Sequence, residues 1–256
     1  MAMTYRLTDL ALPYLLDSPD ISFCAKGLYI LICHIQPESL THLASASGVS
    51  RVIVRRECNA LKDEGWLSFD ILKSERTIIT PTAPDGVQQQ LVKWFDGIKD
   101  TWFPMGESIM KAMLDNTVAV PRCLDNCRPS HIVNPVSGYR LEFDRFYYSH
   151  GVAFEFQGIQ HRRRTDLHKS DAEFEDAQMR DLVKIGLSAR HNIEVVEITA
   201  ADLRIDRIIT KIPARLPLLR IDAGEFVRRL DRVGQEYMFW CKRNQGRKTK
   251  PDGGGV

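Results

Sequence analysis

No stretch of the chain reaches the roughly 18 consecutive apolar residues that a membrane-spanning helix needs, so a protein buried in a bilayer is not expected. The opening MAMTYRLTDLALPYLL lacks a charged start followed by an apolar run and a small-residue cleavage site, so no secretory signal is expected either. Cysteine is sparse, with six scattered at no framework spacing, which excludes a disulfide scaffold and points to a reduced compartment. Cys123, Cys127 and His131 are four apart, but structural zinc takes four ligands and no second pair is visible, so zinc is not expected. Charge of one sign is also lacking: 35 Lys and Arg face 33 Asp and Glu, for a net of +2, so any surface for nucleic acid must be local. There is no internal repeat. What remains is ordinary globular usage, 44% hydrophobic and 27% charged over 256 residues, which fits one or two domains and a soluble, cytoplasmic protein.

Texture divides the chain. Residues 1–85 carry short helical patterns and two strand-like runs, Trp66 to Phe69 and Thr77 to Thr80, joined by a polar turn. Pro81, Pro84 and Gly86 then punctuate the sequence as a linker would. Residues 86–105 are expected to form a helical connection with a break at Phe103-Pro104, and the region from 106 to 242 begins with the pattern helix, strand, strand, helix, strand. A closing helix over 223–242 shows an apolar stripe at Phe226, Leu230, Val233 and Tyr237. Residues 243–256 are basic, then Gly-rich, and are expected to be disordered.

In the first region the helix signals are specific. Ala25 to His34 is apolar and helix-compatible. Ser39 can cap a short helix ending at Gly48, and Ser50 a longer one running to Glu64 and stopped by Gly65. Val49 stands where a tight helix-helix turn needs its apolar anchor. At about 100° per residue, Arg51, Arg55, Asn59 and Lys62 share one arc of the third helix, while Ile53, Val54, Cys58, Ala60 and Leu61 are expected on the other side. Such a helix can rest on the protein and reach into a major groove, with Lys73 and Arg76 at the hairpin tip touching phosphates. The segment from Leu40 to Thr80 resembles the winged-helix domains of bacterial regulators, which implies contact with double-stranded DNA and a nucleoid-associated location. The plainer alternative is a winged helix used for protein contacts, its arginines merely solvated.

In the second region, Leu141 and Phe143 alternate with Glu142 and Asp144, and Val152, Phe154 and Phe156 alternate with Ala153, Glu155 and Gln157. Antiparallel pairing across the turn at Ser149-His150-Gly151 would bring Asp144 and Glu155 together. Two close carboxylates repel, so one is protonated or a cation lies between them. Hard oxygen ligands suit Mg²⁺ or Mn²⁺, which could acidify a water and orient it towards a phosphodiester. The alternative is a pair of carboxylates salt-bridged to Arg140, Arg145 or Arg162.

Asp144, then Glu155-Phe156-Gln157 and Gly158-Ile159-Gln160-His161, resembles the PD-(D/E)xK nuclease superfamily, and within it the very-short-patch-repair-like branch. Gly106 to Leu114, with Glu107, is similar to the opening helix of that family, and Gln178 to Lys184, with Asp181, to a later helix. Ile193 to Ile198 is similar to the strand that follows, and the resemblance covers about 104–200. It implies an α+β protein of two domains: a winged helix-turn-helix, then a restriction-endonuclease-like α-β-β-β-α-β core with a mixed sheet. Asp144, Glu155 and the carbonyl of Phe156 are then the metal ligands, with Glu107 a further acid. Gln157 stands where the family usually has lysine, so His161 or the metal-activated water is expected to move the proton, with Gln157 orienting water. Glu142, Gln160 and Asp181 are secondary candidates, and Arg162, Arg163 and Arg164 offer phosphate-binding charge beside the acids. The expected activity is Mg²⁺-dependent endonucleolytic hydrolysis of DNA, alone or with a homodimer or partner protein. The other readings are a DNA-binding regulator or assembly factor with an inactive nuclease-like domain, and action on RNA or branched DNA.

Overall fold

Ser22, Ser39 and Ser50 each accept a backbone N–H from the first turn of the helix that follows, and these three caps set the start of the chain. They open α2 (Phe23–Ile35), α3 (Leu40–Ser47) and α4 (Arg51–Asp63), preceded by α1 (Leu7–Asp17). Gly48 closes α3 at φ +69°, a left-handed conformation that costs glycine little. Val49, in the turn, packs against the core, as its position requires. A two-stranded antiparallel hairpin follows, β1 (Leu67–Ile71) with β2 (Thr77–Pro81). The structure is a computed structural model that describes residues 5–71, 77–101, 105–120, 122–158, 171–220 and 224–244.

The expected linker after β2 is tied down at its backbone: Tyr29 donates to the Thr82 carbonyl and Gln88 to that of Ala83. Helix α5 (Asp85–Ile98) then begins at once, and α6 (Met105–Asp115) follows the break expected near Phe103. Next come β3 (Leu124–Cys127), β4 (Phe143–Tyr147), β5 (Val152–Gln157), α7 (Asp171–Arg190), β6 (Glu194–Thr199), α8 (Ile205–Lys211) and α9 (Glu225–Asn244). The protein is therefore α+β, with nine α-helices among the described residues and a mixed four-stranded sheet in the order β3-β4-β5-β6. Only the β5–β6 pair is parallel. A parallel pair needs a crossover, and α7 supplies it.

Both faces of this sheet are covered. Val152 and Phe154 join the main apolar cluster with Ile109, Met110 and Met113 of α6 and Phe226 and Leu230 of α9. Ala153, Phe143, Phe146 and Ile193 form a smaller one, packed by Leu187 of α7. The main cluster also contains Leu28, Leu43 and Leu61 of the first helices, so one core runs through both regions of the chain. Polar contacts add to it: Arg6 donates to the carbonyls of Asp115 and Val118, and Arg220 to those of Pro37 and Ile79. No described helix is long and apolar enough to cross a membrane.

Candidate functional site

Strands β4 and β5 are paired from Tyr147 and Val152 to Arg145 and Phe154, and there the ladder ends. Beyond it the Phe156 N–H turns to a side chain, donating to Asp144 Oδ2 at 2.7 Å. In a strand, N–H and C=O of one residue leave on the same side, so the Phe156 carbonyl is directed to the Asp144 side of β5 as well. Lys184, from α7, spans the parting: its Nζ donates to the Glu142 carbonyl at 2.8 Å and to Glu155 Oε2 at 2.7 Å. Asp144 and Glu155 thus meet at one notch, as the strand alternation led us to expect.

Burial sets the electrostatics. It pushes the Glu155 carboxyl up to about 7, against the pull of Lys184 and with Asp144 adding to the rise. It also raises Asp144, opposed by the Phe156 N–H and reinforced by the charge of Glu107. The second Glu155 oxygen, Oε1, is buried and has no hydrogen-bond donor among the described residues. A buried oxygen of this kind costs about 1–3 kcal/mol unless something meets it. Beside the second carboxylate it fits a hard divalent cation, since Mg²⁺ is commonly held by one or two carboxylates and keeps several waters.

Glu107 stands on α6 close enough to act on Asp144, but Lys111 one turn on pairs with it. Among the described residues no three His, Cys, Asp or Glu side chains form a group that could hold a metal. The approach of α6 depends on Gly106, where a Cβ would stand 2.2 Å from the Phe156 ring. Arg145, one of the expected partners of the acids, turns elsewhere. It is 3% exposed and binds Asp125, Asp115 and the Lys111 carbonyl, tying β4 to β3 and α6 behind the notch. Glu142 pairs with Arg128 at the surface, so its carbonyl, not its carboxylate, touches the site. Gln157 lies 3.5 Å from Glu197 on β6. Gln160, His161, Arg162, Arg163 and Arg164 lie outside the described residues, as do Lys73, Arg76 and the Asp181 side chain.

Lys184 was not singled out from the sequence. The available signal was its place one turn after Asp181, in the segment similar to a family helix, but nothing local ties it to a glutamate 29 residues earlier.

On α4, Arg51, Arg55, Asn59 and Lys62 are all exposed. Lys62 also lies 5.4 Å over the Phe69 ring of β1. The buried side is Val54, Glu57, Cys58 and Leu61. Ile53 and Ala60, expected there, are exposed, and Glu57 replaces them because the Ser22 hydroxyl donates to it. The basic arc therefore flanks the packed side at about 110° instead of standing opposite it.

No family model and no solved structure matches the chain. An uncharacterized protein, 033L of Invertebrate iridescent virus 3, is 29% identical over 94 residues, 36% of this chain and 47% of that protein. The chain spans about half the length of this curated relative, whose name states no activity.

Proposed function

We propose that the chain is a metal-dependent DNA endonuclease, with a winged helix at residues 1–85 holding the duplex and a PD-(D/E)xK-like domain at 106–242 hydrolysing a phosphodiester. The observation that carries the reading is Glu155: a part-buried carboxylate with one buried oxygen unmet among the described residues and the other on Lys184, close to the part-buried carboxylate of Asp144. The order α6, β3, β4, β5, α7, β6 agrees with the helix, three strands, helix and strand of that superfamily.

Asp144, Glu155 and the Phe156 carbonyl would hold Mg²⁺ or Mn²⁺. A cation of this kind supplies Lewis acidity to a phosphate oxygen and acidifies a water. Lys184 brings the positive charge that Gln157 cannot, delivered from a helix and aimed at the same glutamate. Its ammonium favours the Glu155 carboxylate and would stabilise charge developing on a phosphate bound beside it. Gln157 can orient a water by its amide. Arg145 keeps α6 and β3 fixed against β4, so that the notch does not collapse. The exposed Arg51, Arg55 and Asn59 of α4 supply duplex contacts.

Plasmid incubated with Mg²⁺ or Mn²⁺ should be nicked or cut, and EDTA should stop it. Asp144→Asn and Glu155→Gln should lose cleavage and keep duplex binding; loss of binding in both counts against the assignment.

A second reading is a DNA-binding regulator or assembly factor with an inactive nuclease-like domain. It is favoured by two ion pairs, Lys184 with Glu155 and Lys111 with Glu107, which already neutralise two of the acids. Duplex binding without cleavage in either metal would select it.

A further inference from the structure

An aromatic ladder runs from β5 to the exposed side of α9. Phe156, which holds Asp144 by its N–H, has its ring 6.2 Å from Tyr237 of α9. Tyr237 in turn stacks on Trp240, with centroids 5.9 Å apart and planes 20° from parallel. Trp240 is 57% exposed and Phe239 beside it 52%. Lys242 lies 6.0 Å over the Phe239 ring, and Lys242 and Arg243 give α9 a basic end. The inner rungs are fixed by packing, since a Cβ on Gly106 would meet both the Phe156 ring and the Tyr237 hydroxyl.

We infer that the half-exposed Trp240 is a base-stacking platform for single-stranded nucleic acid, on the helix that reaches β5 through Tyr237 and Phe156. The substrate then carries an unpaired segment as well as the bond that is cut. An aromatic face can stack on a base only where that base has left the duplex stack, and cations around it favour the phosphates of the same strand. A second protein chain is the poorer occupant. Two half-exposed rings offer far less than the roughly 800 Å² per partner that a stable interface buries. The inference deepens the endonuclease reading and rests on it for the neighbouring chemistry, but binding without metal tests the platform by itself.

The probes are fluorescein-labelled oligo-dT of about 16 nucleotides and a duplex of equal length, followed by anisotropy in EDTA. Trp240→Ala should weaken oligo-dT binding about tenfold or more and leave duplex binding unchanged. Trp240→Phe should recover most of the loss. Trp240→Leu, which keeps apolar bulk without a flat face, should behave as the alanine. Unchanged oligo-dT affinity in the alanine and leucine variants overturns the inference, and so does an equal loss on duplex. A change from dimer to monomer in Trp240→Ala, with oligo-dT affinity retained, also overturns it and assigns the face to a second copy. Plasmid cleavage that persists while oligo-dT ignores Trp240 removes the platform alone. Stacking without cleavage in any metal keeps the platform and removes the endonuclease.

Discussion

Lys184 Nζ sits 2.7 Å from Glu155 Oε2, joining the crossover helix α7 to the middle of strand β5. The same ammonium reaches the Glu142 carbonyl on β4, so one side chain bridges two strands where their ladder stops. Replacing it should do two separable things.

Lys184→Met should lower cleavage by about 100-fold, a typical cost for one electrostatic group aimed at developing charge. It should also move the acid limb of the pH–rate profile upward, because Glu155 loses the cation that holds its carboxyl down. Lys184→Arg should keep the profile near that of the wild type. An activity loss with an unmoved profile would mean that Lys184 does not act through Glu155.

Glu155 makes stability depend on pH in a stated direction. Its folded value, about 7, lies above the ordinary 4.5, so its contribution is fully present below pH 4.5 and lost as pH rises through 7. Without metal, wild type should lose on the order of 3 kcal/mol relative to Glu155→Gln across that window. Added Mg²⁺ should restore part of it, because the cation favours the carboxylate. Thermal melts of both proteins from pH 4 to 8 measure this, and parallel curves would rule it out.

Gly106→Ala tests how closely α6 must lie on β5. The new Cβ would sit 2.2 Å from Phe156 and 2.8 Å from the Tyr237 hydroxyl, so helix or ring must move. Overpacking of this kind costs about 1–3 kcal/mol, and the shift should lower cleavage as well. Gly97→Ala, on a helix with open space around it, should be neutral or stabilising by up to about 1 kcal/mol. Denaturant titration of the pair reads the difference; equal stabilities would mean that α6 gives way freely.

Much of this was legible locally. Ser39, Gly48 and Ser50 mark helix ends because capping is a contact over three or four residues, which the sequence shows directly. The alternation from Leu141 to Gln157, with the turn between the two runs, led to the antiparallel pairing of β4 with β5, whose ladder stops one step short of Asp144 and Glu155. The packed side of α4 was less legible. Ile53 looks apolar enough to be buried, yet Glu57 takes the inside because Ser22, 35 residues earlier, meets it there.

The sequence by itself determined the helices α2 to α4, the first hairpin and the presence of two acids on adjoining strands, since these follow from backbone periodicity and short-range hydrogen bonding, whereas α1, β3 and α8 carry no such local signal. Only the tertiary structure decided what those acids face. Arg145 was a plausible partner by proximity in the chain, but burial between α6 and β3 commits its guanidinium to Asp115 and Asp125. Lys184 reaches Glu155 instead because the crossover helix packs on that side of the sheet. The choice between the two cations is made by which desolvated charges must be neutralised together, and that depends on how the layers pack.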